Sequence, residues 1–352
     1  MAGGFRFDSK PGDAAWHPDD SEDFFELWDC YCMIDGGYGF AIMLYSKPWY
    51  PIIDYIPGEA GHPLCVINII TPDGVSHFIR KSYPDEAFKA STERLDVTMG
   101  QNRLIGKYND KGEYEGIEIK IAEEGISAEL TYDAKIGSMK MSERDDNLTY
   151  LNPATNKYFG WFNVGVRSDV KGTITIDGKA MDITGVGSNN YNWGNIKFDL
   201  QSRWFTAGIF ADDYTISFNN STAGKRHNYA HFTPLVLWKG NEVIMSTFNC
   251  SVYGEEFAVD PESRGPYPVT ETFRASEGDI EVMGFLPPGI IAERSRIEDV
   301  PGLACTSENP WFHFFQFSDA HMIIRRGKEV EKIKGRALRE FVWADEWFPY
   351  KR

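Results

Sequence analysis

The chain has 352 residues, 14% of them aromatic, with 33 glycines and a formal net charge of −16 at pH 7. A charge of that sign excludes nucleic acid and anionic membrane surfaces as partners, because phosphate contact needs clustered Lys and Arg, and it leaves an apolar or neutral ligand open. The length admits two domains, and plentiful glycine and aromatic residues with few long helical patterns predict an all-β class.

Residues 1–22 are polar, hold Pro11 and Pro18, lead into the acidic run Asp19–Asp23, and read as an arm or loop. No basic segment followed by an apolar run is found there, so a cytoplasmic protein without a secretory signal is expected. The longest apolar runs, 39–45 and 63–70, are too short for a membrane-spanning helix, and no membrane insertion is expected. Phe24 to Tyr45 predicts a hairpin turning at Asp35-Gly36-Gly37, in which Cys30 and Cys32 share one strand face as small apolar residues. Trp49 to His62, rich in Pro, Gly and aromatics, reads as a long loop.

Strands 64–70 and 75–79 flank Thr71-Pro72-Asp73-Gly74, a turn in which Pro presets φ and Gly takes the left-handed position. The clearest alternation follows. Ile117, Ile119 and Ile121 point one way and Glu118 and Lys120 the other; after Glu124-Gly125 the strand returns with Ile126, Ala128, Leu130 and Tyr132 on the dry face. One-sided meanders of this kind close into barrels or pack as sandwiches. Residues 133–154 read as a loop with room for a short helix.

A hairpin with its turn at Asp177-Gly178 leads into Gly185-Val-Gly-Ser-Asn-Asn-Tyr-Asn-Trp-Gly194, and the aromatic strand Arg203–Phe210 comes after it. The ten residues carry no charge and hold Asn189, Asn190, Tyr191 and Asn192. A cluster so polar belongs in a loop, yet Trp193 and the following strand argue for partial burial, and buried amides must be hydrogen-bonded to the protein or to a bound molecule. A loop that uses Asn and Gly for positive φ and Asx-turns accounts for the cluster equally well.

This order of elements resembles the lipocalin-like carotenoid hydratase family, which includes decalin-forming Diels-Alderases of natural-product pathways. The family pattern reads roughly G-x-G-Y-x-D-H-x-W-G, and Gly185, Gly187, Asn192, Trp193 and Gly194 fall in step with it. Phe24-Phe-Glu-Leu-Trp-Asp29, followed by Gly36 and Gly37, is similar to the family's opening strand. The family's acidic residue is Asn190 here, and the neighbouring His is Tyr191. The resemblance implies two lipocalin-like antiparallel β-barrel or sandwich domains with the substrate between them; the boundary is expected near Gly224, giving domains 1–224 and 225–352.

Past Gly224 come a hairpin at Lys239-Gly240-Asn241, a Pro-rich loop from Asp260 to Pro268, an aromatic strand Trp311–Phe317 and a hairpin at Arg326-Gly327-Lys328. Gly335 and Trp343 are spaced as Gly185 and Trp193 are, each pair after a hairpin, which points to a duplicated unit with Glu340 in the place of Asn190.

There is no P-loop, no third glycine after Gly185-Val-Gly187 and no G-x-S-x-G elbow, and His227 and His231 lack both a helical pattern and an H-E-x-x-H context. Neither metal nor cofactor is expected. Hydration of an alkene needs a carboxylic acid to deliver the proton, which Asn190 cannot do. A pericyclic reaction needs a folded polyene and one neutral hydrogen bond on an activating carbonyl, worth ~3 kcal/mol. The expectation is therefore a cofactor-independent intramolecular Diels-Alder cyclase of a polyketide-derived polyene. Asn190, Tyr191 and Trp193 would bond and orient the substrate, with Trp49, Trp161, Asn163, Trp204, His231 and Glu340 around it. Two rivals stand: a hydratase or proton-driven cyclase with Glu340 or Asp54 as acid, and a carrier of an apolar ligand.

Overall fold

A computed structural model describes residues 4–21, 24–47, 61–196, 201–224, 228–297 and 310–344. Among these residues every regular element is a strand or a short 3-10 turn. No helix in them is long and apolar enough to cross a membrane. The chain forms two compact units that divide after Ile196.

In the first unit the opening strands are β1 (Phe25–Ile34), β2 (Gly39–Lys47), β3 (Leu64–Ile70) and β4 (Ser76–Ser82). A middle group follows: β5 (Phe88–Ala90), β6 (Asp96–Met99), β7 (Asn102–Tyr108), β8 (Tyr114–Glu123) and β9 (Ile126–Ile136). The last are β10 (Met139–Lys140), β11 (Leu148–Asn152), β12 (Lys157–Ile176) and β13 (Lys179–Gly194). They form one antiparallel sheet ordered β4-β3-β2-β1-β13-β12-β9-β8-β7-β6-β5, with β10 and β11 added to β12. The Ile-rich alternation becomes β8 and β9, Ile117 opposite Tyr132, with Ile117, Ile119, Ile121, Ala128, Leu130 and Tyr132 buried. Asp177 and Gly178 both take positive φ (49° and 78°), the conformation that a two-residue hairpin needs.

Two expectations change. Residues 133–154 are not a loop with a helix, because β12 outruns β9 and its free hydrogen-bonding edge takes up β10 and β11. Asn189 to Trp193 form no loop either: from Gly185 to Gly194 β13 is flanked by β1 and β12, so its backbone there is satisfied as strand. Most of the predicted loop Trp49–His62 lies outside the described residues.

The N-terminal arm is docked over the first core. Its 3-10 turn Pro11–Ala14 brings Ala14 and Ala15 to 1% exposure, and Ala14 joins the apolar cluster of Trp28, Cys30, Cys32, Phe162, Tyr191 and Trp193. The Trp28 indole donates to the Ala14 carbonyl at 2.9 Å, and the Lys140 ammonium, buried under the arm, meets Asp13 at 2.6 Å.

The second unit begins with β14 (Gln201–Ala211), β15 (Tyr214–Ala223), β16 (His231–Phe232), β17 (Leu235–Lys239) and β18 (Glu242–Thr247). It continues with β19 (Cys250–Val259), β20 (Pro266–Glu277), β21 (Ile280–Leu286), β22 (Ile290–Ile297), β23 (Trp311–Arg326) and β24 (Glu329–Trp343). Their order is β18-β17-β15-β14-β24-β23-β21-β20-β19, with β16 on β15 and β22 on β23. The hairpin β14–β15 precedes Gly224 yet belongs here, since β14 pairs with β24 and β15 with β17. The sheet repeats the first one in order: β1, β2, β3 and β4 answer to β14, β15, β17 and β18, and β13, β12, β9, β8 and β7 to β24, β23, β21, β20 and β19. The recurrent spacing of Gly185/Trp193 and Gly335/Trp343 marks the same strand in each copy.

Candidate functional site

Because side chains alternate along a strand, β13 sorts the polar cluster onto two faces. Tyr191 and Trp193 turn into the first core, where their rings stack at 4.9 Å. Asn189 turns the same way and accepts from the Tyr114 hydroxyl at 2.9 Å. Asn190 and Asn192 take the opposite face. Of the three residues expected to act together, Asn190 is thus separated from Tyr191 and Trp193 by the sheet itself. Gly160 and Gly187 serve packing: a Cβ at Gly160 would lie 2.3 Å from the Trp193 ring, and one at Gly187 2.7 Å from that of Tyr132.

On the outward face Asn190 stands between Asp29 of β1 and Asn163 of β12. The Asn163 amide donates to the Asn190 side-chain carbonyl, and the Asn190 backbone N–H donates to Asp29 at 2.9 Å. Asp29 also accepts from the Tyr31 hydroxyl at 2.9 Å. With its carbonyl taken, Asn190 keeps its amide NH2 without a partner among the described residues. Trp161 lies two positions before Asn163 on β12, half-buried.

On the inward face lies a group that the sequence reading missed. Glu26 is fully buried; its Oε1 is hydrogen-bonded to the Tyr191 hydroxyl and accepts the His17 backbone N–H at 2.9 Å, while Oε2 has no partner. Tyr191 Oη also lies 2.6 Å from His17 Nδ1 and 2.8 Å from the Ala15 carbonyl. Tyr191 has one proton for two acceptors, Glu26 Oε1 and the Ala15 carbonyl. Burial pushes the Glu26 pKa up, against the hydrogen bonds from His17 and Tyr191. The signal was a lone carboxylate at a core-facing position in Phe24-Phe-Glu-Leu-Trp28.

In the second unit Glu340 occupies the place of Asn190, between Thr206 of β14 and Phe315 of β23. Thr206 donates to Glu340 Oε2 at 3.0 Å, and the buried His313 reaches Oε1 with Nε2 at 2.9 Å. The other ring nitrogen of His313 is 3.8 Å from Glu293. Inside this core Glu271 faces Arg339 at 3.6 Å, and burial raises its pKa to about 7 against the pull of the guanidinium. Arg339 donates to Gln316 at 2.6 Å. Glu271 and Arg339 were also missed, although each interrupts an inward-facing apolar row.

A cavity of about 550 Å³ lies within the second unit, lined by residues that include Arg203, Phe205, His231, Cys250, Phe257 and Trp343. His231, expected beside the substrate, is among this lining. Trp204 is not among its lining: it is buried on the opposite face of β14 from Phe205. Trp49, Asp54 and His227 lie outside the described residues. Among the described residues, no three His, Cys, Asp or Glu side chains group as metal ligands.

Strand order and site together define an all-β protein of two lipocalin-like units. No family model and no curated protein matches the sequence. Solved structures share the fold across nearly all of the chain. CghA aligns over 99% of this chain and 98% of its own at a TM-score of 0.65 and 11% identity, and it has also been crystallised with Sch210972. A protein of Nitrosomonas europaea assigned as an AttH aligns over 94% and 95% (TM-score 0.64, 13% identity). Kievitone hydratase from Nectria haematococca aligns over 96% and 92% (TM-score 0.56, 13% identity). The lipocalin-like fold expected from Gly185–Gly194 is the fold of this chain.

Proposed function

We propose that this chain is a cofactor-independent enzyme of natural-product biosynthesis that cyclises an elongated, polyketide-derived polyene by an intramolecular Diels-Alder reaction. The observation that carries the reading is the Asn190 amide. Asn163 anchors its carbonyl, and its NH2 is left to donate from the face turned away from the core. A neutral donor of this kind can bond the carbonyl that activates a dienophile, and one such donor is worth ~3 kcal/mol. The nearby carboxyls suit proton delivery poorly: Glu26 is sealed beneath the arm, and Asp29 already accepts two hydrogen bonds.

A proton-driven hydration is the second reading, favoured by Glu340 and Glu293 on either side of His313, a group able to hold a proton. Product mass separates the two. Cyclisation leaves the substrate mass unchanged, and Asn190→Ala lowers turnover by a factor of ~10² or less while Glu340→Gln leaves it near wild type. A product heavier by one water, with activity abolished in Glu340→Gln, would reject the cyclase. Asn190→Asp is expected not to improve turnover, because a carboxylate there accepts and does not donate.

A further inference from the structure

The cavity of the second unit lies where the sheet fails to close. Among the described residues β19 pairs only with β20, and the cavity is walled by β19 on one side and by Arg203, Phe205, Asn220, His231 and Thr233 on the other. Asp and Glu outnumber Lys and Arg 52 to 36 in this chain, yet among the described residues no Asp or Glu lines the cavity. Arg203 does. Its Nε donates to Thr222 Oγ1 at 3.2 Å, which fixes the guanidinium, and its terminal nitrogens have no partner among the described residues. Arg103, Arg144, Arg274 and Arg294 each hold a carboxylate. The walls beside Arg203 are aromatic, and a cavity of this volume suits a small organic molecule.

We infer that this cavity binds an apolar molecule bearing a carboxylate, with the Arg203 guanidinium on the carboxylate and Phe205, Phe257 and Trp343 around the apolar body. Paired hydrogen bonds from a planar guanidinium match a carboxylate in shape as well as charge. Binding is non-covalent: burial pushes the Cys250 thiol up to about 12, so the one thiol on the lining among the described residues is no nucleophile at neutral pH. The inference does not rest on the cyclisation reading: neither Asn190 nor Glu340 lines the cavity, and among the described residues His231 is the one residue of that reading which does.

The test uses the full chain and a fluorescent polyene acid, cis-parinaric acid, beside its methyl ester. Wild type is expected to bind the acid about tenfold more tightly than the ester, the scale of a charge-assisted hydrogen-bonded pair. Arg203→Gln removes that preference and leaves ester affinity unchanged, Arg203→Lys keeps part of it, and Thr233→Trp, which puts an indole into the cavity, weakens both probes. Equal affinity of wild type for acid and ester overturns the inference, and this arm needs no variant to fold. Acid binding that survives Thr233→Trp overturns it as well.

Discussion

In the first unit the N-terminal arm lies over the core, with Ala14 and Ala15 buried and their carbonyls taken by Trp28 and Tyr191. The second unit repeats the strand order but has no such arm among its described residues, and a cavity of about 550 Å³ opens beside β19. Each copy also keeps a fully buried carboxyl in its core, Glu26 beneath the arm and Glu271 beside Arg339. Duplication of the strand order therefore does not duplicate what covers the core: the arm lies over one copy, and among the described residues nothing equivalent lies over the other.

Three changes break or sharpen that contrast. The largest effect is expected from Asp13→Ala, which takes from the buried Lys140 ammonium its 2.6 Å partner and leaves Asp8 at 3.5 Å. Chemical denaturation should show a loss of about 3–5 kcal/mol, the cost of uncovering a buried charge. Next comes the pH response of the second core. The folded pKa of Glu271, raised by burial to about 7, exceeds its ordinary 4.5, so its protonated form stabilises the fold below pH 4.5 and this contribution is lost as pH rises through 7. Stability should fall by about 3 kcal/mol across that window, and Glu271→Gln should flatten the fall. Glu26, also raised, adds a loss in the same direction. The smallest effect is that of Tyr191→Phe, which removes a hydroxyl bonded to Glu26, Ala15 and His17. It should cost about 1–3 kcal/mol in a thermal or urea melt, while turnover, which in the proposed reading depends on Asn190 on the other face, stays near wild type.

The sheets were readable where side chains alternate cleanly, as from Ile117 to Tyr132, and where a turn demands positive φ, as at Asp177-Gly178. The polar run 189–192 misled because four amide or phenol side chains in a row look like a loop. Only pairing with both β1 and β12 shows that the same run is a central strand with two different faces. Asn163 and Asn190 were named as site residues, and the register brings them together. The partnership of Glu26 with His17 could not be read, because the arm reaches the core by docking and no periodicity marks a docked segment. His313 stands in an aromatic run, Trp311-Phe-His-Phe-Phe315, and its link to Glu340 needs the register of β23 against β24.

The pairing of β1 with β13 has a consequence for the order in which the chain acquires structure. Phe25 lies opposite Gly194, and the arm ahead of it contacts Lys140, Asn147, Tyr158 and Tyr191. As the chain emerges from the ribosome, β1 can pair with β2 at once, but its other edge and the arm's contacts with Lys140, Asn147, Tyr158 and Tyr191 must wait for nearly the whole first unit. The second unit repeats the delay, since β14 pairs with β24 at the far end of the sequence. Contacts so distant along the chain slow folding and leave strand edges exposed until the last strand of each unit arrives.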